Sequence, residues 1–138
     1  LLLLTTDGMM SEIVRSKTVE KEYYAQVDGI VTKEAIEQLQ KGVEIGFKGI
    51  RYTTKKCQAE IITKLPDCIG VGRKIRDERH GPTSWLSITL TEGKFRQVRK
   101  MTAAVGFPTL RLVRVRVGAI ELNNLKAGEV MQVEQFQM

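Results

Sequence analysis

Between Ser84 and Glu92 the residues Leu86, Ile88 and Leu90 take every second place, with Ser87 and Thr89 between them. Successive side chains of a strand point to opposite faces, so this stretch predicts a strand with one buried and one polar face. Lys21 to Val27, closed by Asp28-Gly29, and Gln58 to Thr63 read as further strands, and Val130 to Val133 as a last one. The opening run Leu1 to Leu4, ended by Thr5-Thr6-Asp7-Gly8, reads as a buried strand already under way at the first residue, so the chain is expected to be an N-terminally truncated fragment. Helical spacing occurs twice. Ile36, Leu39 and Val43 form an inward stripe after Thr32, which can cap the first turn, and Gly42 is placed to end a helix that runs to about Gln40. Val98, Met101 and Val105 recur at three and four within Lys94 to Val105, ahead of Gly106 and Pro108, and Glu92-Gly93 turns the preceding strand into that helix. Thr109 to Val117 is rich in β-branched residues, but Leu110 and Leu112 share one parity and Val113, Val115 and Val117 the other. A bulge near Leu112 accounts for the switch, and it would bring Arg114 and Arg116 out on the side that Leu110 and Leu112 occupy. Pro66 to Gly81 reads as a loop. The sum is an α+β fold, a largely antiparallel sheet with flanking helices, in one domain over residues 1–138.

A chain of 138 residues buries about two thirds of the surface its unfolded form exposes, so a packed core needs neither disulfide nor metal. Cys57 and Cys68 stand eleven residues apart without the Cys/His clustering of a zinc site, which reads as free thiols in a reducing compartment, hence a cytoplasmic protein. Leu1 to Leu4 falls far short of the about 18 apolar residues of a membrane span, so no membrane partner is expected.

Charge changes the picture. The formal net charge is +6, and Lys94, Arg96, Arg99, Lys100, Arg111, Arg114 and Arg116 fall between Gly93 and Ile120 with no Asp or Glu among them, while the rest of the chain is close to neutral. Cations concentrated in a fifth of the chain attract polyanions, and nucleic acid becomes the leading partner, a solvated basic face without a ligand being the alternative. At 100° per residue Arg96, Arg99 and Lys100 fall within about 100° of one another, opposite Val98, Met101 and Val105, so the helix should be apolar below and cationic above.

The familiar chemical signatures are absent: no phosphate loop, no Gly-x-Gly-x-x-Gly, no His-Glu-x-x-His and no Gly-x-Ser-x-Gly. Nucleotide hydrolysis, dinucleotide binding and zinc hydrolysis are unsupported. His80, the sole imidazole, reads as a solvated loop residue. Trp85 can pack at a strand edge or stack on a base. Tyr23 can be plain core, or its ring can be a platform for a base turned out of its stack.

Several blocks occur in a telling order: Leu1-Leu2-Leu3-Leu4-Thr5 with Asp7-Gly8; Lys21-Glu22-Tyr23-Tyr24 and Val27-Asp28-Gly29; Glu92-Gly93-Lys94-Phe95-Arg96-Gln97-Val98-Arg99-Lys100-Met101; and Leu110-Arg111-Leu112-Val113-Arg114. Together they resemble the catalytic domain of the ribosomal RNA pseudouridine synthases. Pro82 to Leu86 and Met101 to Leu112 are most similar to large-subunit members of that family, and only Lys48 to Arg79 carries little likeness.

The resemblance implies the pseudouridine synthase fold and an isomerase that flips a uridine out of ribosomal RNA, breaks its C1′–N1 bond, rotates the uracil and joins C5 to C1′, with no cofactor and no metal. It implies a nucleophilic aspartate in a Gly-Arg-Leu-Asp motif shortly ahead of the Leu-rich strand. Neither Asp7, in the turn after that strand, nor Asp28, at the end of another, fits the position. By the same resemblance Tyr23 stacks on the target uracil and Arg99 pairs with the nucleophile, keeping it ionised. Phe95 departs from the Asn that relatives usually carry. Lys94, Arg96, Gln97, Lys100, Arg111, Arg114 and Arg116 are then RNA contacts, although Arg114 and Arg116 can equally pair with acids on neighbouring strands. A monomer is expected, inactive on its own without the aspartate. Two other readings are a noncatalytic RNA-binding module that uses the same basic helix, and a DNA reader that inserts it in a major groove, the latter lacking a second helix to brace it.

Overall fold

The computed structural model describes residues 1–66, 69 and 80–138. In chain order the elements are α1 (Gly8–Arg15), β1 (Lys21–Asp28), α2 (Lys33–Lys41), β2 (Glu44–Phe47), β3 (Ile50–Thr53), β4 (Gln58–Ile62), β5 (Thr83–Leu90), α3 (Gln97–Ala104), β6 (Thr109–Val117) and β7 (Ile120–Glu121). A five-stranded sheet runs β4-β5-β1-β6-β7, antiparallel throughout, and β2 with β3 forms a separate hairpin. The fold is α+β, as the alternating and helical patterns imply.

β1 is the central strand, between β5 and β6. Its inward residues Ala25 and Val27 pack with Leu86 and Ile88 of β5 and Ala59 of β4, and are covered by Ala35, Ile36 and Leu39 of α2 and Val98 and Met101 of α3. Burial of such side chains stabilises by about 1.5–3 kcal/mol each for the large ones. Thr32 caps α2 as its sequence position requires, accepting from the Ala35 amide at 3.2 Å. Gly42 ends it at φ 110°, and a Cβ there would lie 2.2 Å from the Thr54 carbonyl oxygen. Only glycine allows α2 to pass so close to the end of β3. Cys57 lies beside this joint, its thiol donating to the Leu39 carbonyl at 3.2 Å. Burial, with the Glu92 charge, pushes that thiol up to about 11, so it is a packing group rather than a reactive one. Cys68 and most of the expected loop from Pro66 to Gly81 lie outside the described residues.

Several expectations are corrected. Leu1 to Leu4 form no strand; Leu2 and Leu4 are exposed, and Leu1 is held to β6 by its amino group donating to the Arg114 carbonyl at 3.0 Å. Asp7 caps a helix, α1, its Oδ1 accepting from the Met9 and Met10 amides at 3.0 and 3.3 Å. The β2–β3 hairpin, whose turn and second strand fall in the region of little likeness, was not expected, although Ile45 and Phe47 alternate before Lys48-Gly49, and Ile50 and Tyr52 after it. Lys48 and Gly49 both adopt positive φ (51° and 78°), the conformation of a two-residue turn whose twist suits a hairpin. Val130 to Val133 is not a strand; the sheet closes instead with β7. Ser87 and Thr89 are as buried as the apolar residues they alternate with, because Ser87 Oγ donates to Glu22 Oε2 at 2.9 Å and the far side of β5 is covered too.

The helix expected from Lys94 starts at Gln97, because Arg96 takes a left-handed conformation (φ 53°) and Lys94 to Arg96 form a turn. In β6 the register slips twice, between Glu22 and Tyr23 and between Gln26 and Val27, leaving Val115 and Leu110 as extra residues. One irregularity near Leu112 is thus two, on either side of it. The slip at Val115 sends Arg114 and Arg116 to opposite faces, since Arg114 pairs with Tyr23 and Arg116 with Glu22.

Candidate functional site

Tyr23 stands at the middle of the sheet, opposite Ile88 on one side and Arg114 on the other, half-buried and packed against the core with Leu112 and Phe107. Arg114, sharing its face, turns its guanidinium onto the Leu1 carbonyl, with Nε at 3.0 Å and Nη2 at 2.8 Å. Lys21, two residues before Tyr23 and on the same face, is buried, its ammonium donating to the Ser16 carbonyl at 2.8 Å. Burial, and then the Arg114 charge, lower the pKa of Lys21; the same two causes lower that of the Leu1 amino group. Positive groups gathered in this way favour an anion among them. Sequence reading did not single out Lys21, although its place in Lys-x-Tyr was the available signal.

Arg99, half-buried, projects from α3 towards the first residue of β6 and donates to the Thr109 carbonyl at 3.4 Å. Thr102 and Thr109 share a hydroxyl hydrogen bond at 2.7 Å, which ties the helix to the strand beside it. α3 rests its Val98 and Met101 on the cluster against which Tyr23 packs, so Tyr23 and Arg99 belong to the same side of the sheet.

The turn before α3 is built on a buried carboxylate. Glu92 accepts from the Tyr52 hydroxyl in a short hydrogen bond, from the Lys55 amide at 2.7 Å and from Gln97 Nε2 at 2.9 Å. Burial pushes this carboxyl up, but the three donors and the Lys55 charge outweigh it and hold the group below its ordinary value. The Tyr52 hydroxyl is pushed up in turn, by the hydrogen bond to Glu92 first, then by burial and the same charge. Gln97 closes the turn by accepting from the Lys94 amide at 3.1 Å. Being 4% exposed with its amide committed inside the protein, Gln97 is a strut of the turn and not a surface contact. Lys94 sets its ammonium 5.0 Å from the Phe47 ring centre and 5.1 Å from that of Tyr52. Arg96 is exposed, and Lys100 donates to the Gly46 carbonyl at 2.9 Å.

The other face of the sheet takes the remaining arginines. Arg111 donates to the Ile69 carbonyl at 2.8 Å and lies 5.8 Å over the Trp85 ring, so Trp85 faces a guanidinium. Arg116 pairs with Glu22 at 3.1 Å and Glu20 at 3.7 Å, and donates to the Gly118 carbonyl at 2.9 Å. Acids dominate that face: burial and then the charges of Glu22, Glu60 and Glu121 push the Tyr24 hydroxyl up. The basic window is therefore divided between an open side near α3 and a neutralised side behind the sheet. Among the described residues no group of three or more His, Cys, Asp or Glu could hold a metal ion, and no helix is long and apolar enough to cross a membrane.

Residues 1–104 match the family model described as RNA pseudouridylate synthase. The chain belongs to that family. It is 39% identical over 136 residues to ribosomal large subunit pseudouridine synthase E of Vibrio parahaemolyticus serotype O3:K6, covering 97% of this chain and 55% of that protein. It is 36% identical over 127 residues to synthase E of Xanthomonas axonopodis pv. citri, covering 91% of this chain and 65% of that protein. Ribosomal large subunit pseudouridine synthase B of Yersinia pestis is 34% identical over 124 residues, covering 88% of this chain and 33% of that protein. The chain thus spans about half the length of the Vibrio relative. A solved structure titled "Crystal structure of pseudouridylate synthase" superposes with a TM-score of 0.62 at 24% identity over 85% of this chain and 43% of that one, which shows the shared fold.

Proposed function

We propose that the polypeptide isomerises a uridine of ribosomal RNA, in the large subunit, to pseudouridine, and that it does so as a cytoplasmic monomer without metal or cofactor. The reaction breaks C1′–N1 and forms C1′–C5; the hydrogen on C5 leaves as a proton and N1 gains one. Tyr23 offers a ring on which the extruded uracil rests. Arg99 pairs with the nucleophilic carboxylate, keeping it ionised and aimed at C1′. That carboxylate is assigned to the aspartate of the Gly-Arg-Leu-Asp motif, which these 138 residues do not contain. Lys94, Arg96 and Lys100 meet phosphates on the open side; Arg111, Arg114 and Arg116 act mainly inside the protein.

The observation that carries this reading is the pairing of Tyr23 with Arg114, whose guanidinium holds the Leu1 carbonyl. Leu1 is thereby held beside the strand that carries Tyr23. The test is release of tritium from [5-³H]uridine-labelled ribosomal RNA by the intact gene product. Release is expected, and Tyr23→Ala and Arg99→Ala should each slow it about 100-fold or more, the scale of misplaced reacting groups. Tyr23→Phe should keep RNA affinity, because the stacking face remains. RNA binding with no release by the intact gene product would leave only a noncatalytic RNA-binding module.

A further inference from the structure

The β2–β3 hairpin has no part in the chemistry just described, yet it is docked against the basic turn. Phe47 has ammonium groups on it from Lys48 at 5.3 Å and Lys94 at 5.0 Å, measured to the ring centre, and stands 6.4 Å from the Tyr52 ring. Lys100 bridges hairpin and helix: its Nζ donates to the Gly46 carbonyl at 2.9 Å and lies 5.4 Å from the Phe95 ring centre. Phe95 itself is 71% exposed, and Ile50 on the hairpin is 62% exposed. The acids nearby are already engaged, Glu44 with Arg51 at 3.3 Å and Glu92 within its buried network. What remains is an open Phe95 ring with Lys100 against it and Lys94 and Arg96 on either side in sequence, next to a hairpin whose Phe47 carries Lys48 and Lys94.

An apolar surface meant for another protein would gain little from such a border, whereas a nucleotide needs both parts: a π face for the base and cations for the flanking phosphates. With Lys100 on one face of the Phe95 ring, a base on the other would be held between stacking and a neighbouring positive charge. Bases inside a duplex already have their faces covered, so the fit is to an unpaired residue.

We propose that the hairpin tip and the Phe95 turn form a second RNA contact, which stacks one unpaired base on Phe95 and holds its phosphates with Lys48, Arg96 and Lys100. This rests on RNA being the substrate, as proposed above, and it assigns a task to the β2–β3 hairpin. Fluorescein-labelled dodecauridylate and a 12-base-pair RNA duplex serve as probes in anisotropy titrations of the protein. Phe95→Ala should weaken dodecauridylate binding about tenfold, within the range of one lost base–aromatic stack, and leave the duplex unaffected. Phe95→Trp should restore affinity, with indole fluorescence quenched on binding. Lys48→Gln and Lys100→Gln should each reduce the salt slope by about 0.7. Unchanged dodecauridylate affinity in Phe95→Ala, or equal losses on both probes, would overturn the proposal. Tritium release by the intact gene product separates the two claims. If Phe95→Ala weakens binding while no isomerisation occurs, the contact stands and the enzyme reading falls; isomerisation with unchanged Phe95→Ala affinity does the reverse.

Discussion

Glu92 shows how one residue can be decisive without touching a ligand. Its carboxylate ties Tyr52 of the hairpin, the Lys55 backbone and Gln97 of α3 into one unit, so the placement of Lys94 to Arg96 depends on it. Because its pKa is lowered in the folded protein, it contributes stability that is present above the ordinary carboxyl value of 4.5 and is lost as pH falls through the lower folded value. Glu92→Gln should therefore reduce unfolding free energy by about 1.5–3 kcal/mol at pH 7, the range for hydrogen bonds to a charged group. Urea melts at a series of pH values should show that difference shrinking below about pH 4.5. A difference that is the same at pH 7 and pH 3 would mean that the carboxylate charge is not what holds the turn. Nothing in the alternation of β5 marked Glu92 for this work; its value comes from Tyr52, forty residues away in sequence.

Among the elements, α2 was legible from end to end. Thr32, the Ile36 and Leu39 stripe and Gly42 are local signals, each acting within a turn of the helix it shapes. The sharper constraint on Gly42 is tertiary, since the Thr54 carbonyl occupies the space a side chain would need. Gly42→Ala combines that clash with an unfavourable φ and should destabilise by about 1–3 kcal/mol, whereas Gly49→Ala, where a Cβ meets nothing within 4 Å, should lose only the strain of its positive φ. Thermal melts of the two variants side by side check this, and equal losses would refute the close approach. β6 is the opposite case. Its parity switch was visible, but whether one bulge or two produced it depended on the register with β1. That choice decides whether Arg114 lies beside Tyr23 or behind the sheet.

For the molecule as a whole, the distribution of charge is the functional variable. Seven contacts with a single strand would give a slope of log affinity against log salt of roughly −5, at about 0.7 per phosphate. The fold engages Arg111, Arg114 and Arg116 internally and adds Lys48 from the hairpin. With Lys48, Lys94, Arg96 and Lys100 as the contacts, the slope should be about −3. Titrations of dodecauridylate between low and moderate salt distinguish the two, and a slope near zero would remove RNA from the account.

The α+β class, the strands β1, β4 and β5, the caps of α2 and the cationic stretch were determined by the sequence itself, because periodicity, capping and net charge are properties of neighbours along the chain. Tyr23 and Arg99 were named by resemblance alone; the packing of α3 puts both on the side of the sheet that it covers. Which cations remain open and which are neutralised was decided by the tertiary structure alone. Arg114 and Arg116 are two residues apart, yet one slip in pairing at Val115 gives the first to Tyr23 and Leu1 and the second to Glu22 and Glu20. A strand's register is set by partners tens of residues distant, and no local pattern encodes it.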